Sequence, residues 1–286
     1  MPQQKTVNWV LFVLLALIWG SSFILIKEGA KQLSGWQIGA LRIFSASIVL
    51  LPFALFHLRQ LPRNKIPLIL LTGFLGNLFP AFLFGIAIQQ KIESSLAGIL
   101  NSLTPLFVIL IGALFFGVKI KARKVAGVVI GFVGLLVLSL IKGPVNASDV
   151  GFTLLILLAT VFYGLNVNLV GTYLKGLDPI KMSTVSVGFL VIPTAVVLWL
   201  HPVQLESTAD WQSAGAVALL GLLGSAVATL IFYTLIKKAG GLFASLVTYA
   251  IPAVAMFWGF LANENVGVAQ IGCLAIILAG VYLANK

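Results

Sequence analysis

Ten apolar runs, each close to the length of a membrane-spanning helix and separated by short polar connections, constrain this chain more than any motif does. They lie near 8–28, 35–56, 66–88, 93–116, 122–141, 149–173, 179–200, 211–236, 240–261 and 267–285. A helix rises about 1.5 Å per residue and the hydrocarbon core is about 30 Å thick, so about 20 apolar residues cross it. A chain that is 60% hydrophobic and only 9% charged lies outside the range of soluble domains, where roughly a quarter of residues are charged. The expected fold is therefore an all-α integral membrane protein with ten transmembrane helices. The first run, from about Asn8 to Ile26, is longer than the h-region of a signal peptide, at most about 15 residues, and reads as a retained span.

The basic residues orient such a bundle. With the N-terminus inside, Lys5, Arg59, Arg63, Lys65, Lys119, Lys121, Arg123, Lys124, Lys175, Lys181, Lys237, Lys238 and Lys286 fall on the inner side. Lys27, Lys31, Lys91 and Lys142 fall on the outer side. Short cytoplasmic loops carry the excess of Lys and Arg, so both termini are expected in the cytoplasm. Trp9 at an inner end and Trp36, Trp199, Trp211 and Trp258 near outer ends fit an interfacial belt, whereas Trp19 falls at mid-span. The net charge of +11 is thus assigned to loops that anchor the protein on membrane lipids, and no nucleic-acid partner is expected.

Prolines interrupt the apolar runs beside polar residues. Asn101-Ser102-Leu103-Thr104-Pro105 has an echo in Thr248-Tyr249-Ala250-Ile251-Pro252, and Asn77 precedes Pro80. A proline has no N–H to donate and pushes on the carbonyl four residues back. Helix breaks are therefore expected at Pro80, Pro105 and Pro252, freeing acceptors at Gly76, Asn101 and Thr248. Lipid tolerates such groups only where protein or a water-filled cavity satisfies them, and paired interruptions in two halves point to a transport site.

The landmarks repeat. Trp19-Gly20-Ser21-Ser22-Phe23 corresponds to Tyr163-Gly164-Leu165-Asn166-Val167, Pro105 to Pro252, and the glycines Gly127, Gly131 and Gly134 to Gly272 and Gly280. Residues 1–145 and 146–286 are read as two five-helix repeats of one membrane unit. Five is odd, so the second repeat enters the bilayer inverted. The Gly127-xxx-Gly131 pattern is read as close packing within the chain rather than a dimer face; a monomer or weak homodimer is expected.

Trp19-Gly20-Ser21-Ser22-Phe23 followed by Lys27, and then Ala40-Leu41-Arg42, resembles the opening of the EamA-type carriers of the drug/metabolite transporter superfamily. The resemblance extends over essentially the whole chain. It implies ten helices in two inverted repeats, a central cavity, and export of amino acids or other small metabolites. The family often places an acid just after the fourth helix of each repeat. Glu264 fits this in the second half, while the first half reads Gly117-Val118-Lys119.

Polar side chains at mid-span are the candidate site, because lipid offers them no partner. They are Ser21 and Ser22 beside Trp19, Asn77, Asn101 and Ser102, Tyr163 and Asn166, Tyr233, and Thr248 and Tyr249. Any single Ser or Thr also serves as helix–helix glue, whereas an amide has more valences than packing alone fills. Arg42 is the charge set clearly inside a span, roughly 10 Å from its outer end. It is read as snorkelling outward, as pairing with Glu28 or Glu93 to close an outer gate, or as touching substrate; the gating pair is taken as the working assignment.

No Asp or Glu lies deep in a span, and no P-loop, metal-ligand cluster or Ser/His/Asp set is visible. No enzyme, cofactor or metal is expected, and a proton relay lacks its usual intramembrane carboxylate or histidine. The expected function is a small-molecule carrier of a bacterial inner membrane, most simply an uncoupled exporter. A pocket without fixed charge suits an amino-acid zwitterion or a small neutral metabolite. Nucleotide sugars, nucleobases, lipid-like compounds or drugs are the alternative cargo, and a non-transporting scaffold or sensor is the alternative class.

Overall fold

The computed structural model describes residues 2–90, 94–119, 121–142, 150–261 and 268–285, and all regular structure among them is helical. Helix α1 spans Pro2–Gly29 and α2 spans Gly35–Leu58. A 3-10 turn at Arg63–Lys65 leads into α3 (Ile66–Gly73), which passes through a π-helical turn at Phe74–Leu78 into α4 (Phe79–Gln89). Then follow α5 (Ser94–Asn101), α6 (Thr104–Phe115) and α7 (Ala122–Lys142). The second half contains α8 (Val150–Tyr173), α9 (Pro179–Gly188) and α10 (Val191–Leu200). It continues with α11 (Thr208–Leu220), a second π-helical turn at Gly221–Val227, and α12 (Ala228–Ala239). The last helices are α13 (Gly241–Ser245), α14 (Val247–Leu261) and α15 (Val268–Asn285).

Six helical stretches among the described residues are long and apolar enough to cross a bilayer: Lys5–Gly29, Gly35–Leu58, Arg63–Gln89, Gly151–Tyr173, Pro179–Leu200 and Thr208–Ala239. The chain is a multi-pass membrane protein. The ten expected spans are not all recovered, and the breaks fall only partly where the prolines predict them. The run near 93–116 is split at Ser102–Leu103, just before Pro105, and the run near 240–261 is split at Leu246, with Pro252 inside α14. Of the residues named in the sequence analysis, Lys91, Glu93, Glu264 and Lys286 lie outside the described residues.

The helix starts follow from local chemistry. Ser34 accepts from the Gln37 N–H while the Gln37 side chain accepts from the Ser34 N–H, a reciprocal capping box for α2. Asp178 caps α9 ahead of Pro179, and Ser207 with Asp210 makes the same box for α11. Outward-facing positions carry large apolar side chains such as Phe53, Phe56, Leu114, Ile192 and Trp199, a surface suited to lipid and not to water. The inside is rich in small and hydroxylated residues. Ser47 Oγ of α2 donates to the Val187 carbonyl of α9 at 2.8 Å across a fully buried contact, the kind of glue membrane helices use where apolar burial cannot discriminate helix from lipid.

The main helix contacts join the two halves of the chain. α2 packs on α9, α7 on α15, α1 on α14, and α8 on α6. The last two contacts use the same device. A Cβ on Gly20 of α1 would lie 2.5 Å from Val254 Cβ of α14, and one on Gly164 of α8 would lie 3.0 Å from the Phe107 backbone of α6. In α7 and α15, a Cβ on Gly280 would fall 2.5 Å from the Gly131 nitrogen and 2.6 Å from the Gly127 carbonyl oxygen. The Gly127-xxx-Gly131 pattern therefore packs inside the chain. A Gly280→Ala substitution meets backbone that cannot turn aside, and is expected to cost about 1–3 kcal/mol. Gly171→Ala, where a Cβ meets nothing within 4 Å, is expected to be neutral or to stabilise by up to about 1 kcal/mol; thermal unfolding of the detergent-solubilised protein compares the two.

Candidate functional site

Two apolar cores stack along the bundle. One contains Leu15, Met182, Tyr233 and Phe243, the other Phe23, Ile38, Phe84 and Ile251. Trp19 packs against both. Side chains of both cores wall a cavity of about 60 Å³, several times the 10–15 Å³ or so that one water requires. Of the expected site residues it gathers Trp19, Ser22, Asn77, Asn101, Tyr163, Asn166, Tyr233 and Thr248, and it adds Arg42.

Both π-helical turns reach this cavity. Gly76 and Asn77 come from the first, and Gly224 from the second. Such a turn shifts the backbone bonds by one residue: Phe79 N–H donates to the Phe74 carbonyl, and Ala228 N–H to that of Leu223. The first turn precedes Pro80, where the absent N–H would break an ordinary ladder. The second has no proline. Trp19 Nε1 donates to the Gly224 carbonyl at 3.1 Å, and the Trp19 ring lies 5.2 Å from that of Phe232. On the opposite wall the Asn166 amide sits over Gly76, where a Cβ would approach its Nδ2 to 2.5 Å. Trp19 and Asn166, both within the aromatic-Gly stretch that recurs in the two halves, thus each rest on the π-turn of the other half.

The cavity's amides and hydroxyls are mostly satisfied by one another. Thr229 Oγ1 donates to Asn77 Oδ1 at 2.9 Å, and the Tyr233 hydroxyl to Asn166 Oδ1 at 3.4 Å. Ser22 Oγ returns its proton to the Ile18 carbonyl at 2.9 Å. Asn101 differs. It is 6% exposed, and its Oδ1 is buried without any hydrogen-bond partner.

Several expectations need correction. The carbonyls freed by proline do not open into the cavity as free acceptors. Thr104 Oγ1 donates to the Asn101 carbonyl at 2.6 Å, and Ser102 Oγ to that of Thr248 at 2.7 Å. Ser102 is thus a fully buried cross-brace between the two broken runs and is absent from the cavity wall. Tyr249 also turns away: its hydroxyl donates to the Val128 carbonyl at 2.9 Å, with its ring against Gly131. Ser21 accepts from Trp258 Nε1 at 2.7 Å on the outside of the bundle. Glu28 pairs with Lys31 at 2.6 Å, on an exposed edge. Arg42 does not join Glu28 and does not snorkel; its Nε donates to Ser225 Oγ at 3.0 Å and its side chain lines the cavity. The cavity therefore does contain a fixed charge.

Comparison with known proteins accords with this architecture. The model of the EamA-like transporter family matches residues 7–140 and again 152–286. The chain belongs to that family. Among similar proteins, an uncharacterised transporter of Archaeoglobus fulgidus is 26% identical over 98% of this chain and 99% of its own. The inner membrane transporter YedA of Escherichia coli K12, also uncharacterised, is 26% identical over 95% of this chain and 88% of its own. A protein of E. coli K12 named "Probable amino-acid metabolite efflux pump" is 31% identical over 49% of this chain and 45% of its own. One crystal structure with 18% identity superposes with a TM-score of 0.72 over 98% of this chain and 97% of its own, a likeness of fold alone. The chain is thus a membrane transporter, and transporters of this kind imply a small-molecule substrate.

The brace at Ser102 can be tested by itself. Ser102→Ala leaves the Thr248 carbonyl buried without its hydroxyl donor, an expected cost of about 1–3 kcal/mol. Ser21→Ala, outside the cavity, removes the acceptor of Trp258 Nε1 and is expected to cost at most about 1–2 kcal/mol while leaving flux unchanged. Thermal unfolding and a transport assay on the same preparations check both.

Proposed function

We propose that this EamA-family protein is a secondary carrier of the bacterial inner membrane that exports small metabolites, amino acids among them, by alternating access without ion coupling. In this reading the ten apolar runs are ten spans, residues 1–145 and 146–286 are inverted repeats, and both termini lie in the cytoplasm. The observation that carries the proposal is the cavity at the meeting of the two halves, walled by both broken runs and both π-turns. A binding site at the interface of two repeats is the geometry that lets one repeat rock against the other around a fixed substrate. The exchanged contacts of α1 with α14 and of α8 with α6 support the inverted arrangement, since a two-fold relation would produce them in pairs.

Amino-acid cargo is supported by the partial relative named as an efflux pump and by the wall itself. Aromatic and aliphatic surface around a few fixed polar groups holds an apolar side chain while orienting its polar end. The uncoupled mechanism rests on the ionisable groups: among the described lining residues these are Arg42, Tyr163 and Tyr233, and none is the carboxylate or imidazole that serves a proton relay.

Release of a mixed amino-acid and metabolite load from proteoliposomes, with no ion gradient imposed, tests the proposal. Selective, saturable release is expected, and Asn101→Leu, which fills the cavity and removes its free acceptor, is expected to abolish it. Release seen only after a pH gradient is imposed would overturn the uncoupled mechanism, and no release of any component would overturn the carrier reading for these substrates.

A further inference from the structure

The geometry points to Arg42 as the anchor for a substrate carboxylate, with Asn101 Oδ1 accepting an N–H from the same substrate. This rests on the carrier reading, to which it adds the polar chemistry of the cargo.

Among the described residues Arg42 has no carboxylate partner. Its Nε is taken by Ser225 Oγ at 3.0 Å, while its two terminal amino groups find no acceptor among the described residues. Gly224 lies beside one of them on the cavity wall: a Cβ there would come within 3.9 Å of Arg42 Nη2 and within 3.0 Å of Ser22 Oγ. At Arg42, α2 is pressed against the second π-turn: a Cβ on Gly221 would lie 2.1 Å from the Arg42 carbonyl oxygen. The four described acids of the chain are engaged or remote. Glu28 pairs with Lys31, Asp178 caps α9, Asp210 caps α11, and Glu206 is exposed.

A guanidinium buried within a span is costly unless an anion and hydrogen-bond acceptors complete it. Its two terminal amino groups form a planar fork that fits the two oxygens of a carboxylate. Asn101 Oδ1 is the complementary deficiency, a buried acceptor without a donor on the wall of the same cavity. A ligand that brings a carboxylate and an N–H fills both, and its apolar remainder meets Trp19, Phe23, Phe84 and Phe232. A neutral metabolite would leave the charge unmatched, and a cationic one would be repelled.

Probes that differ only at the polar end isolate this. Purified full-length protein is titrated with leucine and phenylalanine, with their 2-oxo acids (carboxylate kept, amine removed), and with their amides (amine kept, carboxylate charge removed). Binding is read by thermal stabilisation, and transport by counterflow in proteoliposomes. The acids are expected to act at concentrations about 10–100-fold below those of the amides, the worth of a charge-assisted contact. The 2-oxo acids are expected to lie between. Arg42→Gln should erase the preference for acids and Arg42→Lys should retain part of it, while Asn101→Ser should bring leucine down to its 2-oxo acid. Amides equal to acids in the unaltered protein, a preference that survives Arg42→Gln, or no stabilisation by any acid would overturn the assignment. Acid-selective binding without flux would uphold it and refute the carrier reading; flux of acids and amides alike would do the reverse.

Discussion

Inside a bilayer, every peptide group that leaves the helical ladder must find its partner in the protein, because lipid has none to offer. Much of this structure is arranged around that debt. Two runs break near proline and two pass through π-turns, and nearby side chains answer the exposed carbonyls. Thr104 satisfies Asn101 locally, whereas Ser102 reaches across to Thr248 and the Trp19 indole reaches across to Gly224. The last two bonds connect the halves of the chain. The irregular backbone therefore creates the cavity and also supplies the acceptors by which each half grips the other.

That logic separates what was legible in the sequence from what was not. Apolar length and the proline positions are properties of one segment, so the membrane class and the interrupted runs could be read directly. The polar residues worth watching were also visible, and the cavity gathers most of those proposed. Which way each points depends on the angular position of neighbouring helices, and no single run carries that information. Ser102 and Tyr249 sit beside the prolines in sequence, but face Thr248 and Val128 rather than the cavity. Ser21 neighbours Ser22 by one residue, which is about 100° of helix rotation and enough to put it outside. The π-turn at Gly221–Val227 has no proline to announce it; its signal is the pair Gly221 and Gly224, which among so many glycines is not distinctive.

Arg42 shows the same limit for electrostatics. Its depth in α2 suggested an ion pair with a nearby acid, and Glu28 stood within plausible reach in sequence. The structure spends Glu28 on Lys31, where both charges keep much of their hydration, and such exposed pairs contribute little. Holding Arg42 inward instead requires the close approach of α2 to the second π-turn, with Gly221 beneath it and Ser225 beside it. A tertiary contact between helices far apart in sequence decides which way the charge faces. It is this contact that turns a cavity of mainly apolar and neutral polar groups into one that carries a fixed charge.

The bonds between halves are also of a kind that can be remade. Near Glu28 the halves meet through Gln37 Nε2 donating to the Pro202 carbonyl at 2.7 Å, Ser213 Oγ donating to the Glu28 carbonyl at 3.0 Å, and the Trp36 and His201 rings stacked 6.0 Å apart. Towards the opposite end they meet through Trp9 against Phe243 at 5.5 Å and His57 beside Thr184 at 2.8 Å. None is an ion pair. Hydrogen bonds between membrane helices are each worth about 0.6 kcal/mol on average and at most about 1.7, so these bonds add only about 1–3 kcal/mol to the cost of parting either end. Binding energy of that size is what a small substrate can supply, provided it holds the two arrangements with unequal strength. Neutral contacts of this kind among the described residues, with the Arg42 charge on the wall of the central cavity, are an arrangement in which, on the carrier reading, a substrate decides which state prevails.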